Sequence, residues 1–359
     1  MLPVRQRIRH GGRNLLRETR RPVVSTSTTE TRGSDFARLA QRISDAGLLD
    51  RRPVYYAVRI SLGALAYLGG WAVFAWVGDS WLQLLVAAAM AVVFTQLAFV
   101  AHDLGHRQVF RTRRPSDIAG LLIGNLGVGL GWGWWTNKHN RHHANPNHED
   151  HDPDVSPAVI VWSEDQVARS HGLPRFIAKY QAYWFFPLLT LEAWHLHVAS
   201  VKALLNPSAK RRGPELALLL THLVLYFGLI FTVLSWDKAL VFLLVHQGLF
   251  GIYLGVSFAP NHKGMPVLTK EDKLDFLRKQ VLTSRNVRGN PFTDVALGQL
   301  NYQIEHHLFP NMPAPNLRRA QPIVQRYCAE IDVDYLQTGL VESYGQALRH
   351  LHEVGAALR

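Results

Sequence analysis

A chain of 359 residues, 48% hydrophobic and 18% charged, has room for one large or two ordinary domains; its near-zero mean hydropathy conceals segregation into polar stretches and long apolar runs. The formal net charge of +12 would suit nucleic acid, but no motif of that class is present, and the basic residues border apolar runs, as they do at a membrane surface. The single cysteine, Cys328, excludes an intrachain disulfide and a cysteine-held iron–sulfur cluster.

In chain order, residues 1–50 read as a basic, disordered N-terminal tail. Its first part is rich in Arg, Ser and Thr, and no apolar core follows as a secretory signal requires. Residues 54–77 and 81–101 are each long enough to cross a bilayer core, which takes about 20 apolar residues. Gly78-Asp79-Ser80 joins them as a hairpin, and Arg59 is expected to snorkel to the interface. A second hairpin is expected from 216–234 and 239–259, around Ser235-Trp236-Asp237-Lys238.

Between the hairpins, 118–135 is apolar but glycine-rich (Gly120, Gly124, Gly127, Gly129, Gly131, Gly133), a poor composition for a helix interior. It is expected to dip into the bilayer or lie along its interface, because a full crossing would separate the histidine clusters on either side of it. Segment 183–198, aromatic and interrupted by Pro187, reads as interfacial, while 317–331 and 339–354 carry amphipathic patterns. These expectations define an all-α integral membrane protein with four transmembrane helices and a cytosolic helical cap carrying a histidine-rich di-metal site. Its parts are a tail (1–50), a membrane domain (51–320) and C-terminal cytosolic helices (321–359). The hairpin turns carry only Lys238 as a basic residue, whereas the opposite side holds Arg51, Arg52, Arg107, Arg111, Arg113, Arg114, Lys138, Arg141, Lys210, Arg211 and Arg212. By the positive-inside rule both termini and the histidine clusters face the cytoplasm.

Three histidine clusters lie just outside apolar segments: His102-Asp-Leu-Gly-His106, His139-Asn-Arg-His142-His143 and Gln303-Ile-Glu-His306-His307. At helical spacings of three and four, each cluster presents its imidazoles on one face. Seven imidazoles exceed the four ligands of one structural zinc site, so two metals are expected. His262, in Asn261-His262 after the last span, emerges at the same end and is a candidate eighth ligand. His222 and His246, inside spans, read as neutral groups bonded to neighbouring helices. Asp103, Asp152, Asp154 and Glu305 either orient imidazoles through their second ring nitrogens or serve as helix caps and solvated loop residues. The apolar and aromatic surroundings favour a lipid-like substrate. An unactivated acyl C–H bond has no acidic proton, which selects oxygen activation on iron over hydrolysis on zinc.

Three longer segments carry a specific resemblance: His102-Asp-Leu-Gly-His106-Arg-Gln-Val-Phe110, Trp134-Trp135 through His139-Asn-Arg-His142-His143 to Asn147, and Gln303-Ile-Glu-His306-His307-Leu-Phe-Pro310. Together with Asp152-Pro153-Asp154 and Asn261-His262, they resemble the membrane fatty acid desaturases, and the third segment, with Gln first, is similar to the front-end branch. The resemblance implies a fatty acyl desaturase that uses O2 and two external electrons at a pair of iron ions. His102, His106, His139, His142, His143, His262, His306 and His307 are the implied ligands. Asn261, Gln303, Glu305 and Asp103 are implied next to them, Asn261 through a water and Gln303 facing the site without binding strongly.

An acyl lipid or acyl-CoA is the expected substrate. No fused haem domain, flavin or nicotinamide fingerprint is read in the chain, so electrons are expected from a separate ferredoxin or cytochrome with its reductase. That donor is expected to dock near Arg107–Arg114 and Arg211–Arg212 through complementary charge. A di-iron lipid or alkane hydroxylase shares the oxygen step but returns oxygen to carbon. A membrane metal transporter, the remote alternative, would place its ligands mid-span, where only His222 and His246 lie.

Overall fold

The computed structural model describes residues 34–156, 159–207 and 211–359; the expectations for residues 1–33 and for Lys210 lie outside them. Among the described residues, four helices are long and apolar enough to cross a membrane: Pro53–Val77, Gln83–Gly105, Arg212–Val233 and Trp236–His262. At 1.5 Å per residue the shortest is roughly 33 Å long, enough for a hydrocarbon core of about 30 Å. Their apolar side chains point outward as well as inward. Trp76 is 86% exposed and Leu65 67%, an arrangement that suits lipid and not water.

The second and fourth spans form the centre, with Phe94, Phe242 and Phe250 in the shared core and edge-to-face ring contacts from Phe94 to both His246 and Phe250. The two hairpin turns meet at one end. The Asp79 carboxylate accepts from the Ser235 backbone N–H (2.9 Å), the Ser235 hydroxyl (3.0 Å) and Lys238 Nζ (2.9 Å). At the other end the second and fourth helices outlast their apolar runs by several residues, and those extra turns carry His102 and Asn261-His262.

The glycine-rich segment is sharply bent. Helix Arg113–Gly120 passes into a π-helical stretch, Leu121–Val128, and the chain then bends by 110° into helix Trp132–Ala144. Gly129 sits at the break with φ 79°, and a Cβ there would stand 2.5 Å from His222 Nε2. Backbone groups freed by the break are met by protein. His222 and His197 donate through Nδ1 to the Leu126 and Gly129 carbonyls, the Gly133 N–H donates to the Glu215 carboxylate, and the Trp132 N–H donates to Asn125 Oδ1. Irregular backbone at membrane depth is tolerated under this condition. His246, the other histidine within a span, shares a hydrogen bond of 2.7 Å with the Tyr226 hydroxyl.

The cap combines short helices with Ala314–Glu330 and Leu340–Val354, and a second core forms around Leu277, Ile304, Leu317, Val324 and Tyr327. Segment 183–198 divides into helices Gln181–Leu189 and Glu192–Leu205.

Four features depart from expectation. The folded body begins before residue 50: Asp35–Asp45 is a helix whose Leu39 and Ile43, four apart, are fully buried against the cap. Arg59 does not snorkel outward. Its guanidinium turns in to Asp103 at 3.0 Å, and removing one partner of such a buried pair costs about 3–5 kcal/mol. The cap is not purely helical, since Asn286–Val287 pairs in parallel with Gln337–Thr338. The division at 320/321 also falls inside helix Ala314–Glu330, which is continuous.

Gly129→Ala tests the bend. A left-handed alanine costs about 1–2 kcal/mol before the contact with His222 is counted, so thermal unfolding in detergent should begin several degrees lower than in the parent. An unchanged transition would mean that the bend does not require glycine.

Candidate metal centre

Four pieces of chain deliver imidazoles to one place: the end of the second span (His102, with His106 just beyond it), helix Trp132–Ala144 (His139, His142, His143), the end of the fourth span (His262) and helix Gln303–Leu308 (His306, His307). Nitrogen atoms of His102, His106, His139, His143 and His306 lie within 4.8 Å of one another, and those of His142, His262 and His307 form a second such group. His142 is also grouped with Asp152 and Asp154. The eight imidazoles singled out by sequence therefore fall into two adjoining sets. The rings of His143 and His307 link the sets, stacked with centroids 4.3 Å apart.

The donor atoms are placed as ligands would be. His139 Nε2 is 2.8 Å from His106 Nε2 and 3.1 Å from His143 Nε2. One ring nitrogen cannot donate and accept at once, so hydrogen bonding alone does not account for both approaches. Two nitrogens bound at right angles about 2.1 Å from one ion would stand about 3 Å apart. Several buried ring nitrogens have no protein partner: His102 Nε2, His143 Nδ1, His307 Nε2 and both nitrogens of His306. Unpartnered buried polar atoms are costly, and their convergence fits bound cations.

Outer contacts fix the rings. His142 Nδ1 donates to Asp152 Oδ2 at 2.8 Å, His262 Nδ1 to the Thr283 carbonyl at 3.1 Å and His307 Nδ1 to Gln280 Oε1 at 2.9 Å. His102 Nδ1 lies 3.3 Å from Asp103 Oδ1. With Nδ1 so engaged, His102, His142 and His307 keep the Nε2 lone pair for a metal, while that of His262 also faces Gln303 Nε2. Burial, reinforced by neighbouring imidazoles, pushes the His306 and His307 pKa values well below the usual histidine range. Both are neutral at physiological pH, the form that ligates. Burial also opposes ionisation of Asp154, but Lys138, His142 and Lys263 outweigh it and hold the carboxyl below its usual range.

The other implied residues divide. Asp103 bridges His102 and Arg59. Gln303 Nε2 lies 2.9 Å from His262 Nε2, and Asn261 donates to the Leu300 carbonyl at 3.0 Å while its buried Oδ1 has no partner. Glu305 faces away from the imidazoles. Its carboxylate accepts from Asn286 Nδ2 (2.6 Å) and the Tyr335 hydroxyl (2.7 Å), and burial pushes its pKa up to about 7. Gln280, Thr283 and Asn147 were not singled out by sequence. Asn147 gives its backbone N–H to Asp152 Oδ2 and its side chain to the His262 carbonyl, linking the second cluster to the fourth span.

The sequence profile of the fatty acid desaturase family matches residues 79–339, and the chain belongs to that family. Three relatives illustrate the kinship. An acyl-lipid (9-3)-desaturase of Physcomitrium patens is 32% identical over 90% of this chain and 63% of its own length. A Delta(8)-fatty-acid desaturase of Helianthus annuus is 26% identical over 90% of this chain and 74% of its own. A Delta(6)-fatty-acid desaturase of Caenorhabditis elegans is 27% identical over 91% and 76%. The chain thus spans a little under two thirds of the moss protein and about three quarters of the other two. Members of this family are oxygen-dependent oxidoreductases acting on acyl chains, and the apolar helices and histidine sets of this chain accord with a membrane-associated metalloenzyme.

Asp152→Ala removes the acceptor that orients His142 and also releases Asn147. Loss of such an outer partner typically lowers metal affinity about 10–100-fold, and metal titration of purified protein should show this for Asp152→Ala and not for His171→Ala. Equal affinities would show that Asp152 has no part in holding a metal.

Proposed function

We propose that the protein is an integral membrane fatty acyl desaturase that introduces a double bond into a lipid-linked or CoA-linked chain. The net reaction converts –CH2–CH2– to –CH=CH–. O2, two electrons and two further protons are consumed with the two hydrogens removed, and two waters leave. The observation that carries the reading is the pair of imidazole sets where the apolar spans end, in a chain of the desaturase family.

His102, His106, His139, His143 and His306 would hold one iron, and His142, His262 and His307 the other. Bound there, iron supplies the oxygen chemistry that an unactivated methylene requires. The protein's own residues keep His306 and His307 neutral by burial, fix ring tautomers through Asp103, Asp152, Thr283 and Gln280, and shield the site from bulk water. Asn261 would meet the centre through a water at its free Oδ1, and Gln303 competes for the His262 lone pair. Glu305 supports the cap through Asn286 and Tyr335. Electrons would come from a separate acidic carrier, a ferredoxin or a cytochrome with its reductase. A hydroxylase using the same centre would release an alcohol.

Expression with a matched reductase, followed by mapping of double bonds and hydroxyl groups in total lipids, tests the reaction. New olefinic chains should appear, and His142→Ala should abolish them while the protein still inserts in the membrane. Hydroxylated chains without new double bonds would favour the hydroxylase, and substantial turnover by His142→Ala would remove the ligand assignment.

By the distribution of basic residues, the cap and both termini are cytoplasmic. Reporters at residue 359 and after Gly213 should therefore report cytoplasm, and those at Asp79 and Asp237 the opposite side. A split between reporters near Ser116 and Lys138 would contradict the re-entrant bend.

A further inference from the structure

Arg113, Arg114 and Arg211 converge, together with Asp117, Ile118 and Leu121, on an open cavity of about 440 Å³ away from the histidines. Asp117 Oδ2 accepts from Arg113 Nε at 3.2 Å and from Arg211 Nη2 at 2.5 Å, so one carboxylate is shared by two guanidinium groups. Arg114 has no ion-pair partner among the described residues, and the three arginines outnumber the single acid. The site therefore keeps an excess of positive charge while its geometry is held from two elements, helix Arg113–Gly120 and the residue preceding span Arg212–Val233.

Apolar surface lies directly beside this charge. Ile118 is 50% exposed, Leu121 lines the cavity, and the following Leu122 is 48% exposed as the chain enters the re-entrant segment. A positive rim above an apolar wall, at the point where a membrane span starts, matches a molecule with an anion joined to a hydrocarbon tail. Arginine's planar donors suit phosphate oxygens. A docked redox protein would present carboxylates over a broad polar face and would leave the apolar wall without a partner.

We propose that this cavity seats the phosphate of a phospholipid, with Arg114 as its free cation and Ile118 and Leu121 against the start of the acyl chain. The seat depends on membrane embedding and not on the desaturation chemistry, so it can be read without turnover.

The probe is a methyl-branched phosphatidic acid, diphytanoyl phosphatidic acid, added to the full chain in detergent and followed by native mass spectrometry. Diphytanoylglycerol, with the same tails and no phosphate, is the control. The parent should retain the phosphatidic acid roughly tenfold or more above the Arg113→Gln/Arg114→Gln/Arg211→Gln variant, with diphytanoylglycerol held equally by both. Arg114→Gln alone disturbs no ion pair and should give a smaller loss in the same direction. Competition between the probe and the acyl substrate in turnover would mark the seat as that of a substrate phosphate. Retention without competition would mark a resident lipid, and both results support the site. Equal retention by parent and triple variant would overturn the proposal. So would unchanged lipid retention with a raised KM for the electron donor, which would assign the arginines to a redox partner.

Discussion

The structure depends on one constraint: a broken helix in apolar surroundings must still satisfy its backbone polar groups, and segment 118–135 meets it with partners from the protein itself. The 110° bend is possible because Gly129 takes a left-handed conformation and because His197, His222, Glu215 and Asn125 supply hydrogen-bond partners to the freed backbone. Without the bend, His139, His142 and His143 would emerge at the end where Asp79 joins the two hairpin turns, away from His102 and His262. Polar residues that look misplaced within the apolar bundle are therefore what allow the three histidine clusters to meet.

A second layer of design lies around the imidazoles. Eight imidazoles gathered in two adjoining sets leave several buried ring nitrogens without a protein partner, a state that is unfavourable unless something binds them. Their partners come from widely separated parts of the chain: Asp103 on a span, Asp152 in the loop after the second cluster, and Gln280 and Thr283 around the cap helix Phe276–Leu282. Arg59, drawn in from the first span, pairs with Asp103 on the second, next to His102.

Much of this was legible in the sequence. Spans of about 20 apolar residues and histidines at spacings of three and four are local patterns, and local patterns survive folding. The glycines of 118–135 announced a broken helix for the same reason. What could not be read is tertiary. Gln280 and Thr283 lie more than one hundred residues beyond the second cluster and carry no spacing signal toward it. Arg59 looked like a residue beside an interface because its partner lies 44 positions away on another helix. Glu305 directly precedes His306 and His307 in sequence, yet on a short helix its side chain takes the opposite face, toward Asn286 and Tyr335. The helix Asp35–Asp45 was hidden by polar neighbours, since its apolar stripe is short: Phe36, Leu39, Ala40 and Ile43.

The central claim is that the eight imidazoles form two metal sites and not one. The most direct measurement is the iron content per chain after anaerobic reconstitution of purified protein, taken together with the same count for His306→Ala and His262→Ala. The account predicts about two irons in the parent and loss of one, from a different set, in each variant. A single tightly held zinc, with no iron-dependent oxygen consumption, would contradict it.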